Sequence, residues 1–479
     1  MSEKVYISQS DRFAQNHGHV HRSSGIFYYR SATDFSTTLT LWNHFKHKNN
    51  VEAGLVASVR DMSGKLVGRE SLNYDDGDVI NYNPLVGETF EGSVEIEAFS
   101  SSNLKIPFTA IAALYEAKKS VCLLHAYGRV YSSQEIEESR TVPVGREMGW
   151  SLRDTDTVRS FCVFHNGANG QPAQTVNLRV RNSKGDIKTA AIDLAPLRPF
   201  QTVRLNANDY IAGLSAFLGG REGTASLDFM VNGAFTRMLV ANETVDATEF
   251  QATHSNFNYA DHVTEALPDS IGHAYMFIPK LQACDKKVIV YPEFSEGQYL
   301  LETQNRKIPF QNGDCVVEPV NAEELKFSRD DGALPARIVT GLILEGKSAQ
   351  LPAEISLNVL HAKKPDKRLS WGVCAASDRL KCYLVVTPMP PLKGAFPSEG
   401  SMELRAYSAT NHDVLSVKFG SSDIDRLSAG IAFDDIFPSL GAHLAGQTGY
   451  FTLYSEYGGL ICYTMLSAQN GNVSLEHSF

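Results

Sequence analysis

Histidine is the residue type whose spacing in this chain most invites chemistry. His17, His19 and His21 alternate in "NHGHVHRSSGIFYY", and side chains two apart on an extended strand share one face, so such a run can offer two imidazoles to one ion. A catalytic metal centre usually takes three protein ligands and keeps a fourth position open. His254 in "FQATHSNFNY" and His262 in "NYADH" are the candidates to complete it from another part of the chain. The metal reading therefore rests on His17, His19, His21, His254 and His262, with a divalent metal such as zinc as the implied cofactor.

The same histidines have an architectural reading, which we prefer. His254 in "THSNF" and His477 in "EHSF" are each followed by Ser and then Phe, and "HVHRSSGIFYY" leads into the first quarter of the chain as "THSNFNYADH" leads into the third. His21, His254 and His477 are thus expected to be one element used three times, each imidazole bonding a neighbouring backbone group where one domain meets another. His44 and His47 fall in a further polar turn, "NHFKHKNN".

Other signatures favour plain explanations. "DDGD" at Asp75 to Asp78 clusters carboxylates but lacks a twelve-residue calcium loop, and Asp-Gly turns between strands account for it. "FHNGANGQ", with His165, has glycines but no following helix to face a phosphate, so it reads as a hairpin loop. No Gly-x-Ser-x-Gly elbow, activated cysteine setting or distinct pair of acid and base carboxylates is present.

The elements that must position these residues are strands. "TVNLRVRNSKGDI" alternates apolar and polar residues and then turns, and "SVCLLHAY", "KKVIVYPEF" and "EISLNVLHA" are short β-branched or apolar runs bounded by turn residues. Helical candidates are short and end at glycine. Two of them, "DYIAGLSAFLGGREGTASL" from Asp209 and "DIFPSLGAHLAGQTGYFTL" from Asp435, align without a gap, and the register carries back to place Leu178 on Leu404. "LLHAYGR" around His125 likewise matches "VLHAKKP" around His361. An internal duplication explains both.

The expected fold is all-β, with tandem antiparallel β-sandwich domains, a two-domain unit duplicated, and short helical inserts. A His-rich lead-in covers residues 1–25, and sandwiches cover 26–137, 150–262, 270–362 and 368–479. Segments such as "SSQEIEESRTVPVGREMG" and "AKKPDKR" have the polar character of linkers.

Composition narrows the function classes. The 479 residues are 43% hydrophobic and 20% charged, ordinary values for a folded globular chain. A formal charge of −10 without a dense basic run argues against nucleic acid as a partner. With no signal peptide and no apolar stretch of membrane-spanning length, the expectation is a cytoplasmic protein without membrane insertion, export by another route staying open. The 7 cysteines contain no Cys-x-x-Cys pair and read as reduced, mostly buried thiols. Two functions follow as expectations. The first is a non-catalytic binding or structural protein, without a cofactor, whose repeated sandwiches engage a glycan or protein partner through exposed loops and aromatics. The second is a metal-dependent, carbohydrate-active enzyme with its histidines at a domain joint.

Overall fold

The computed structural model describes residues 21–84, 86–100, 110–125, 128–131, 145–257, 273–281, 284–293, 296–332, 334, 338–346, 349–358, 369–377, 379–388, 401–456 and 460–478. The fold is all-β, built of antiparallel sheets with short helices between some strands. The sheets fall into four units whose strands run from His21 to Leu124, Gly145 to His254, His273 to Asn358 and Leu369 to His477. One strand order is used four times. In every unit the first, sixth, third and fourth strands form an outer sheet in that order, and the fifth, second, seventh and eighth form an inner sheet. Three short strands lie outside this scheme, Gly128–Val130, Ala234–Thr236 and Asn256–Phe257. The first two extend the outer sheet of the first unit, and Ala234–Thr236 comes from the second unit, so the two are stitched by backbone pairing.

Burial along the strands depends on what covers each face, and the outer-sheet strands His21–Ser31 and Phe90–Ser100 of the first unit are themselves buried over most of their length. In the outer sheet, Gln174–Arg181 alternates buried and exposed residues, the pattern of a strand with one face on a core and one in water. The inner sheets bury both faces: Val121–Leu124 is buried throughout, and Val158–His165 at every position but Arg159. Their second face packs on a neighbouring unit. Phe161, Val163, Leu239 and Phe250 of the second unit enter the core of the first. Trp42, Leu114, Val121 and Leu123 of the first enter the core of the fourth. Val385, Tyr463, Met465 and Leu475 of the fourth enter the core of the third, and Ile289, Val339 and Ile343 of the third pack on Met148 of the second. The four sandwiches therefore close into a ring: the cores of the first, third and fourth take in a neighbour's residues, whereas the second unit's core is its own and meets the third through Met148.

The register read from the sequence between the second and fourth units recurs in the backbone. Leu178 pairs with Leu227, and Leu404 pairs with Leu453. All four are buried. Helices Ala207–Tyr210 and Leu214–Leu218 correspond to Phe433–Ile436 and Leu440–Leu444. At Gly223 a methyl group would lie 2.7 Å from the Arg181 carbonyl oxygen, and at Gly449 it would lie 2.6 Å from that of Tyr407, so both copies need a bare backbone at the same point. The stretch expected as a polar turn differs: His44–Asn49 is a short helix, its start capped by the Asn43 side chain and its end by Asn50 in the left-handed region. His44 and Phe45 are buried, and Trp42 stacks on His47. Burial of this apolar side outweighs the weak local preference of the polar residues.

The eighth strand of each unit is the edge of its inner sheet, and the four edges meet in the middle of the ring. They are Val121–Leu124, Phe250–His254, Ala353–Asn358 and Val473–His477, each touching the two beside it. An edge strand carries unpaired backbone groups that must find partners when buried. Here short side chains of the neighbouring edge supply them. The Ser120 hydroxyl donates to the Phe250 carbonyl at 3.0 Å and accepts from the Phe250 amide at 2.7 Å. The Cys122 thiol makes the same pair of contacts with Ala252. The amides of Val121 and Leu123 donate to Asn472 Oδ1 and Ser474 Oγ, and Ser356 Oγ donates to the His254 carbonyl. No helix among the described residues is long and apolar enough to cross a membrane.

Candidate functional site

The converging edges bring three histidines together. His125 follows the first edge strand, His254 ends the second and His477 ends the fourth. Ring centroids are 4.7 Å apart for His125 and His254, 4.6 Å for His125 and His477, and 6.0 Å for His254 and His477. One ring nitrogen from each lies within 4.8 Å of the other two. His125 and His254 are each 4% exposed.

Their partners set which nitrogen carries the lone pair. His254 Nδ1 donates to the Ser255 carbonyl at 2.8 Å, which leaves Nε2 unprotonated, and that atom is buried with no hydrogen-bond partner. His125 Nδ1 lies 2.8 Å from Glu476 Oε1, and His477 Nδ1 lies 3.4 Å from the Ser478 carbonyl. Burial, reinforced by the positive charge of Arg237, pushes His125 down to about 3 and holds His254 well below the ordinary imidazole value. Both rings are therefore neutral at physiological pH, the state in which imidazole ligates a metal. Two carboxyls flank them. Burial raises Glu476 to about 7, and burial raises Glu147, which accepts from the Ser255 hydroxyl, to about 7.

Of the residues singled out for a metal, His254 is the one that belongs to this cluster among the described residues. His17, His19 and His262 lie outside the described residues. His21 opens the first outer-sheet strand, where it pairs with Ser100, so it is not the counterpart of His254 and His477. That counterpart is His125, which directly follows an eighth strand, whereas His254 and His477 end theirs. The signal for it was the match of "LLHAYGR" to "VLHAKKP", both of which close a quarter with histidine as "ATHSNF" and "LEHSF" do. His361, which follows the third edge strand in sequence, lies outside the described residues.

A second candidate is a cleft of about 500 Å³ between the first two units, within the range of small-ligand sites. Arg30, Arg159 and Arg204 line it together with Glu91, Glu243 and Asp209, and Asn206, Asn208, Phe90 and Val245 complete the wall. The charges are paired. Arg30 and Arg204 both bind Glu243, Arg204 binds Glu91 at 3.1 Å, and Tyr28 donates to Glu91 at 2.7 Å. The Arg204 guanidinium lies 3.7 Å from the Phe161 ring centroid and that of Arg30 lies 4.5 Å from Phe35, so the two heads are fixed by aromatic faces as well as by carboxylates. Asn206 Nδ2 donates to Asp209 at 2.9 Å. Val245, 60% exposed, adds an apolar edge.

The remaining sequence candidates are structural. His165 is buried with Nδ1 3.0 Å from Thr202 Oγ1, and burial pushes it down to about 3. Asp78 is buried and is held by Lys46 at 3.4 Å and His47 at 3.1 Å, while its backbone amide donates to Ser408 across to the fourth unit. The aromatics of "IFYY" are core residues, all four side chains of Ile26 to Tyr29 being buried. All 7 cysteines are free thiols, and only Cys315 is partly exposed. No known protein family and no curated protein matches the chain.

Proposed function

We propose that the chain is a non-catalytic binding protein whose interlocked sandwiches hold a polar cleft between the first two units, and that the cleft takes a segment of neutral glycan. The observation that carries this reading is the charge balance of the wall. Three guanidinium groups face three carboxyl groups, so the cleft offers donors and acceptors side by side without a net field that would select an anion. A sugar hydroxyl both donates and accepts, and it suits such a wall. Phe90 and Val245 supply apolar surface for the carbon face of a ring.

The same pairing speaks against hydrolysis in the cleft. Glu91, Glu243 and Asp209 are each engaged by a cation or amide, whereas glycoside hydrolysis needs one carboxyl kept as an acid and a second kept as a base or nucleophile. In the histidine cluster His125 and His254 are each 4% exposed and His477 is half-buried, which leaves little surface for a substrate of a metal-dependent enzyme.

The test is calorimetric titration of the full chain with a panel of neutral and sulfated oligosaccharides. A neutral member should bind, and Arg159→Ala and Asn208→Ala should each weaken it about tenfold, the worth of a hydrogen bond to a polar or charged group, without moving the thermal midpoint. Failure of every neutral member to bind, a preference for sulfated ones, or affinity unchanged in both variants would overturn the reading.

A further inference from the structure

We propose that His125, His254 and His477 form a structural site for one divalent transition-metal ion of the zinc type at the centre of the ring. The donor set is the first argument. Three imidazoles are a preferred set for zinc and its neighbours and a poor one for calcium or magnesium, which take oxygen.

Orientation is the second argument. In all three rings Nδ1 is directed to an oxygen: the Ser255 carbonyl for His254, the Glu476 carboxylate for His125 and the Ser478 carbonyl for His477. Metal-ligating histidines are held in this way, with the far nitrogen on the ion and the near one bonded to a carbonyl or carboxylate. His254 Nε2 is buried and unpartnered among the protein atoms, which is costly for a polar group unless something else occupies its lone pair.

Distance is the third. Zinc to nitrogen bonds of about 2.0–2.1 Å place tetrahedral ligand atoms roughly 3.4 Å apart, and the three nitrogens here lie within 4.8 Å of one another. Small rotations of side chains at strand ends close that difference.

The chemical consequence is a clip. The ion ties the ends of three edge strands from three sandwiches, at the point where their inner sheets stop. The proposed ligands are a different set from His17, His19 and His21.

The test uses the full chain produced without a histidine tag, stripped with chelator, loaded with excess Co²⁺ and desalted. About one Co²⁺ per chain should remain, with the visible absorption of a tetrahedral nitrogen site and displacement by Zn²⁺. His254→Gln and His477→Gln should each reduce retention to about a tenth or less, whereas a His17, His19, His21 triple alanine variant should retain the ion. Glu476→Gln should keep the stoichiometry and lose about ten- to a hundredfold in affinity. The thermal midpoint of the unaltered chain should rise with Zn²⁺ and fall with chelator, a readout that needs no variant. Folded protein that retains less than about a tenth of an ion per chain, or an ion kept by both glutamine variants or lost from the triple variant, would overturn the proposal.

Discussion

The closed ring makes a quantitative claim about unfolding that separate sandwiches would not make. Leu178 and Leu404 are 1% and 0% exposed and sit in different cores. Replacing either by alanine removes the packing of a buried leucine and leaves a partly relaxed cavity, at a cost of about 3 kcal/mol within the usual range of roughly 2–5. The shift in melting temperature depends on how much chain melts with it. At about 2.1 cal/mol/K per residue, the 479 residues carry an unfolding entropy near 1 kcal/mol/K, so one substitution should lower a single shared transition by about 3 °C. A lone sandwich of about 110 residues carries roughly a quarter of that entropy and would drop by about 13 °C. The Leu404 core takes in Trp42, Leu114 and Leu123 of the first unit, and the Leu178 core, made of second-unit residues alone, is closed by an inner sheet whose other face carries Phe161, Val163 and Leu239 into the first unit's core, so the first figure is expected for both substitutions and about twice that for the pair, the sites being independent. Differential scanning calorimetry distinguishes the cases directly. A trace in which about a quarter of the heat moves by more than 10 °C while the rest stays in place would refute the claim that the ring unfolds as one body.

Two further substitutions test the electrostatics and the backbone. Glu147 is 1% exposed, and burial raises its carboxyl from an ordinary value of 4.5 to about 7. Because the folded pKa is raised, its contribution is fully present below about pH 4.5 and is lost as pH rises through 7, a loss of about 3 kcal/mol. Glu147→Gln should therefore gain on the parent chain between pH 5 and pH 8 in denaturant titrations, and parallel profiles for the two proteins would count against a buried acid. Ala445 ends the Leu440–Leu444 helix at φ 50, the left-handed conformation that Gly219 takes at the matching helix end in the second unit. Ala445→Gly should raise stability by up to about 1 kcal/mol, since a Cβ is strained there and glycine is not; a loss of stability would mean that the turn tolerates alanine without strain.

Much of the architecture was legible in the sequence, for identifiable reasons. Alternation in "TVNLRVR" marks an outer-sheet strand because that sheet has one wet face, and the aligned helical inserts fix the second and fourth units in one register down to the Leu178 and Leu404 pairs. The inner sheets were harder to read. A strand buried on both faces loses its alternation, so "SVCLLHAY" says strand and says nothing of what covers its second face. That cover comes from another unit, as when Leu123 enters the fourth core. The histidine cluster shows the same limit. His254 and His477 share a Ser and Phe context, but His125 is followed by Ala and Tyr, and His21 shares a serine-aromatic context while opening a strand of an outer sheet. Position in the sheet, last strand and inner edge, defines the set, and that is a property of strand order which neighbouring letters do not carry.

The cluster also shows why four copies in one chain differ physically from four identical subunits around an axis. Residues at the centre of a symmetric tetramer are repeated by every copy, so one glutamate there would bury four carboxyls against one another, each disfavouring the charge of the others. Here the residue before the histidine is Leu124 in the first unit, Thr253 in the second and Glu476 in the fourth. Only Glu476 brings a carboxyl, and it serves His125 of the next unit in the ring. Around it Ser120, Cys122, Asn472, Ser474 and Ser356 each satisfy a particular neighbouring edge. Counted back from the histidine, the third residue differs in every unit, being Cys122, Gln251, Asn358 and Ser474, whereas the fifth is serine in two of them, Ser120 and Ser356. Covalent linkage therefore lets a pseudo-symmetric centre be polar, satisfied and asymmetric at once. It also allows one imidazole of the cluster to lean on a carboxylate while the other two lean on backbone carbonyls.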